Sequence, residues 1–148
     1  MLAVRLLHVL AMALAVGGAV AVWWLVRRSE ARASAVGPET AVETAVAYEA
    51  GFWATAGLLV MTGVGNLGSL APAVPPAESF WGTVFAVKLL LVLGLLAASL
   101  VRTLVVARCR RANRPESAGA TRTLRVGYGA TALSLAVLVA LAEVLAHG

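Results

Sequence analysis

Residues 80–101 read FWGTVFAVKLLLVLGLLAASLV, a run whose single charge is Lys88. At 1.5 Å rise per residue, about 20 helical residues cross the roughly 30 Å hydrocarbon core of a bilayer. Three other runs are equally apolar: Leu6 to Val26, polar only at His8; Gly51 to Leu70, with no charge; and Val126 to Ala146, with one charge at Glu143. Lipid offers backbone N–H and C=O groups no partner, so such runs must be helical, and four strands could not close a barrel. The sequence predicts an all-α fold, a transmembrane four-helix bundle. It forms one domain over residues 1–148, with helices at about 6–26, 51–70, 80–106 and 124–146.

Composition agrees. Of 148 residues, 61% are hydrophobic and 13% charged, with mean hydropathy +0.90, too little polar surface for a water-soluble domain. The net charge is +5, but the basic residues cluster beside the apolar runs and form no aromatic-basic stripe. That pattern sets membrane orientation and argues against nucleic acid as a partner. No nucleophilic triad, phosphate loop or cysteine-based zinc site is present. The sole cysteine, Cys109, stands in Arg108-Cys109-Arg110-Arg111. It has no intrachain partner and is expected as a reduced thiol in a cytoplasmic loop.

The connections differ sharply in charge. Arg27, Arg28 and Arg32 lie between the first and second runs; Arg102, Arg108, Arg110, Arg111, Arg114, Arg122 and Arg125 lie between the third and fourth. The second connection has no Lys or Arg, only Glu78 among Pro72, Pro75 and Pro76. The positive-inside rule places the two arginine-bearing loops in the cytoplasm and both termini outside, in a multi-pass protein of the cytoplasmic membrane. Trp23 and Trp24 at one end, and Phe80 and Trp81 at the other, suit interfacial belts. Arg5, an apolar stretch and Gly18-Ala19-Val20-Ala21 have the elements of a cleavable signal. Cleavage would leave Arg27, Arg28 and Arg32 outside, against the charge bias, so a retained first helix is expected. Gly37-Pro38-Glu39 reads as an early start for the second helix. Asn113-Arg114-Pro115 reads as a turn between the third and fourth.

The polar residues within the runs gather toward the outer side. Lys88 is the only lysine beside eleven arginines, about 12 Å below the outer end of its helix. A charge at that depth costs roughly 2.5 kcal/mol or more, so the side chain is expected to face the bundle interior with a partner; the alternative is snorkelling to the interface. His8 falls in the same leaflet half, with Met12 one turn on along the same helix face. Met61 lies in the outer half of the second helix. Imidazole and thioether together suit Cu(I) or haem iron. Glu143, about 5 Å inside the outer end of the fourth helix, is either an electrostatic partner of Lys88 or a solvated interfacial acid. His147 reads as a residue of the C-terminal tail. The inner halves carry almost no polar groups before the arginine-rich ends.

Leu6-Leu7-His8-Val9-Leu10-Ala11 followed by Gly17-Gly18 resembles the first helix of the copper-resistance D (CopD) family. Phe85-Ala86-Val87-Lys88-Leu89-Leu90-Leu91-Val92-Leu93 resembles that family's Lys-Leu-rich helix. Thr62-Gly63 with Asn66-Leu67-Gly68 is similar to its second helix. The resemblance covers roughly residues 5 to 112 and implies copper binding, transport or resistance. His8, Met12 and Met61 would be ligands, with Lys88 shaping the site. No His- or Met-rich outer loop is present, so tight capture would need a periplasmic or extracellular copper-binding partner. The chain also resembles HemJ-type membrane haem proteins, which share a first-helix His and a Lys-Leu-rich helix. That likeness implies a haem b with His8 and Lys88 as axial ligands. The chain lacks the HemJ-type end of the first helix and the second His after the lysine helix, motifs to which oxidase activity is tied. A non-catalytic accessory subunit, with Lys88 and Glu143 paired, is the third reading. Oligomeric state, a homo-oligomer included, stays open.

Overall fold

A computed structural model describes residues 2–30, 37–70, 75–112 and 118–147. They form α1 (Leu2–Ser29), α2 (Pro38–Leu70), α3 (Phe80–Ala112) and α4 (Ala118–His147), with no strand among the described residues. All four helices are long and apolar enough to cross a membrane. α1 packs against α2 and α4, and α4 against α3; the seam between α2 and α3 is the loosest.

The helices outrun the apolar runs. α2 begins at Pro38, with Glu39 in its first turn, so Glu49 is helical. α3 continues to Ala112, past its expected end at 106, so Arg108, Cys109, Arg110 and Arg111 lie on a helix and not in a loop. Arg122 and Arg125 belong to α4. Hydropathy ends a run at the first charge, whereas the backbone ladder continues wherever the next turn has something to pack on. Arg32, Pro72 and the Asn113-Arg114-Pro115 turn lie outside the described residues, as does the side chain of His147.

The start of α3 is built locally. The Gly82 amide donates to Ser79 Oγ at 3.0 Å, an N-cap. A Cβ at Gly82 would stand 2.5 Å from the Ala77 carbonyl oxygen and 2.7 Å from that of Pro76, so only glycine fits under the cap.

Each helix buries one stripe. On α1 it is Ala11, Ala15, Ala19, Val22 and Val26; on α2, Ala41, Ala45, Glu49, Phe52, Ala56 and Thr62. On α3 it is Leu95, Ser99, Arg102 and Val106; on α4, Leu124, Tyr128, Thr131, Leu135 and Leu138. Spacings of three and four keep each set on one helix face, apart from a step of six between Ala56 and Thr62 on α2. Alanines let the backbones approach closely, as membrane helices require. The other faces carry large apolar side chains such as Leu14 (67% exposed) and Leu90 (69%), which in a bilayer face lipid. At one end sit Arg27 and Arg28, Arg108 to Arg111, and Arg125, which pairs with Glu30. The Arg27 and Arg28 guanidinium groups lie 5.5 and 4.1 Å from the Trp23 and Trp24 ring centroids. This arginine end and the opposite, histidine end define the two sides of the bundle.

Two apolar clusters stack along the axis. Toward the arginine end, Val22, Val26, Ala41, Ala45, Val106, Leu124 and Tyr128 come from all four helices. Midway up, Ala15, Leu95, Leu135 and Leu138 form the second, with Met12, Val16, Leu59 and Val92 packed against it. A polar layer lies between them.

Candidate functional sites

The buried stripes sort the candidate residues. His8 stands three residues before Ala11 on α1 and is half-buried. Met12, also half-buried, packs on the cluster of Ala15 and Leu95. Lys88 precedes Val92 by four and Leu95 by seven, which puts it on the interior stripe of α3; it too is half-buried. Met61 is 74% exposed and Glu143 is exposed, both off the buried stripes. His8 and Met12 thus lie on the buried stripe of α1 and Lys88 on that of α3, while Met61 and Glu143 lie off the buried stripes.

His8 is oriented by α2. Its Nδ1 lies 2.7 Å from Thr62 Oγ1, which is also 2.7 Å from the Leu58 carbonyl oxygen. A hydroxyl has one proton. Given to Leu58, it leaves the Thr62 oxygen to accept from Nδ1–H, and His8 then keeps a bare Nε2 lone pair. This is the arrangement that fixes the tautomer of metal-ligating histidines. Among the described residues no group of three or more His, Cys, Asp or Glu side chains gathers to hold a metal.

The second polar site was not visible as a site in the sequence. The Glu49 carboxylate accepts from Arg102 Nε at 2.7 Å, Arg102 Nη2 at 3.3 Å and the Tyr128 hydroxyl at 2.7 Å. The Thr103 hydroxyl bonds it as well, and Trp53 Nε1 donates to Thr103 Oγ1 at 3.0 Å. Arg102 Nη1 donates to Thr131 Oγ1. The guanidinium is enclosed by aromatic rings, with the centroids of Phe52, Tyr128 and Tyr48 at 4.7, 4.8 and 5.6 Å. The ion-pair side chains are only 4% and 6% exposed. Ser99 Oγ, buried one turn away on α3, has no hydrogen-bond partner among the described residues.

Glu49 and Arg102 lie inside the membrane-spanning parts of α2 and α3. Hydropathy had stopped one run just after Glu49 and the other just before Arg102. The available signal was spacing: Glu49 is four residues after Ala45 and three before Phe52, and Arg102 is three after Ser99 and four before Val106. Cys109 is a free thiol, partly buried near the end of α3.

α1 joins this layer through α2. The Tyr48 hydroxyl donates to the Ala15 carbonyl at 2.9 Å, and its ring lies so close to Gly18 that a Cβ there would sit 2.5 Å from a ring carbon. In comparisons with known proteins, no family model, curated protein or solved structure matches this chain.

Proposed function

We propose that the chain handles copper in the membrane, in the manner the CopD resemblance implies, through a site at the histidine end. The observation that carries this is the His8–Thr62 bond. It holds the imidazole so that Nε2 can serve as a ligand, and Met12 adds an inward-facing thioether from the same helix turn. Met61 is turned away, so the ligand set reduces to His8 and Met12. Two ligands make a site of modest affinity, suited to receiving an ion and passing it on. A bound copper ion would supply a soft, one-electron centre. The residues themselves hold it, fix the imidazole and set the local charge. Lys88, when protonated, opposes a cation at His8; when neutral, it adds a third donor. With the arginine end in the cytoplasm, the site opens outward, where a copper-binding partner would deliver the metal.

The haem b reading is favoured by one observation of its own. Lys88 is half-buried on the interior stripe of α3, as His8 is on that of α1, an arrangement that would suit a His/Lys nitrogen pair. Two measurements on detergent-purified protein separate the readings. For copper, colourless protein binds Cu(I), and binding is lost in His8→Ala and weakened in Met12→Ala. For haem, the protein carries a Soret band that disappears in His8→Ala and Lys88→Ala. If no variant changes any bound species, both readings fail and the accessory-subunit reading stands.

A further inference from the structure

At the arginine end a groove of about 560 Å³ opens between α3 and α4. Ala98, Val101 and Val105 line one wall, and Gly119, Arg122 and Gly127 the other. The glycines create the space: a Cβ at Gly119 would meet nothing within 4 Å. A Cβ at Gly127 would rest 3.5 Å from Arg102 Cγ, so the buried arginine's aliphatic stem forms the floor. Its charged head is turned away and consumed by Glu49 and Thr131. The α3 wall continues one turn beyond Val105 to Arg108, which is exposed, as is Arg122. Among the described residues Arg108 and Arg122 make no ion pair, so their charges stand at the mouth of the groove.

The groove is apolar along its length and cationic at its mouth. From Ala98 to Arg108 it spans about 15 Å of helix, from the ion-pair layer out to the arginine belt. An occupant must therefore carry a long apolar tail and an anionic head. We propose that this groove is a binding site for an anionic phospholipid. One acyl chain lies against Ala98, Val101, Val105 and the glycines of α4, and the phosphate sits between Arg108 and Arg122. Basic pockets at helix ends hold anionic headgroups in this way, each arginine contributing through charge at the membrane surface. The inference is independent of the site at His8.

The test is native mass spectrometry on delipidated full-length protein, titrated with phosphatidylglycerol and with phosphatidylcholine of the same acyl chains. Wild type should retain phosphatidylglycerol preferentially. Arg122→Gln and Arg108→Gln should each reduce its retention about five-fold, with phosphatidylcholine unchanged. Ala98→Phe, which fills the groove from its lipid-facing wall, should reduce retention of both lipids. Thermal unfolding identifies any variant that fails to fold, and the arginine variants decide the matter without Ala98→Phe. Equal retention of the two lipids by wild type would overturn the proposal. So would a headgroup preference that survives Arg108→Gln/Arg122→Gln, or an Ala98→Phe that folds and retains phosphatidylglycerol normally. Release of the lipid by millimolar inorganic phosphate would also overturn it, by assigning the arginines to a free anion.

Discussion

The two polar regions of the bundle, the layer between its apolar clusters and the histidine end, treat polar groups in opposite ways. In the layer of Glu49, Arg102, Tyr128 and Thr131, each charged group is matched by partners and closed off from solvent. At His8 and Lys88 the polar groups are half-buried and incompletely used: the imidazole has one bond to Thr62 and a ring nitrogen to spare. A satisfied buried network has no valence left for a ligand; what it does is specify which helix faces meet, at what height. A half-buried group with an unused lone pair is the one able to do chemistry. The residue with the greatest burial and the most bonds is therefore the structural one, and the functional candidates are the less buried set.

The largest effect should come from breaking the buried layer on one side. Glu49→Leu leaves a guanidinium that cannot lose its proton inside the bundle, a cost of about 3–5 kcal/mol. Thermal unfolding in detergent should show a collapse in stability, and Glu49→Leu/Arg102→Leu should recover most of it. A Glu49→Leu protein as stable as wild type would remove the contrast between the two polar regions. Next in size is Gly18→Ala, which drives a methyl into the Tyr48 ring. It should cost about 1–3 kcal/mol and lower the unfolding temperature, while Gly17→Ala, whose Cβ meets nothing within 4 Å, should not.

The smallest stability effect and the sharpest functional one belong to the threonines. Thr62→Val and Thr131→Val each remove one hydroxyl from a helix interface, worth about 0.6 kcal/mol on average in a membrane. Only Thr62→Val should affect ligand binding, by about 10- to 100-fold, as expected when the group orienting a metal-bound imidazole is lost. Equal loss of Cu(I) or haem binding in Thr131→Val would show that the two polar regions are not separable.

The four spans were legible because about 20 apolar residues in lipid leave the backbone one solution, and the observed helices contain all four runs. The ends of the helices were not, because Glu49 and Arg102 each look like the edge of a run until their partners across the bundle are known. Pro38 was the sounder guide to α2, since a helix begun there passes through Glu49 on the way to Phe52. The half-buried position of Lys88 follows from α3, whose buried stripe continues four and seven residues on at Val92 and Leu95. The separation of Met61 from Met12 was not legible. Both are apolar positions in a run, and only the pairing of α1 with α2 decides which thioether turns inward.

Tyr48 follows directly on from this. It is the neighbour of Glu49 in the chain, yet it grips α1, with its ring on Gly18 and its hydroxyl on Ala15. Farther up the same pair of helices, His8 meets Thr62. These are two pins through the same two rods, about 15 Å apart, and two pins fix a length as well as an angle. A slip of α1 by one turn would carry the imidazole about 5 Å past its hydroxyl, so the tyrosine works as a gauge block that sets the height of a histidine it never touches.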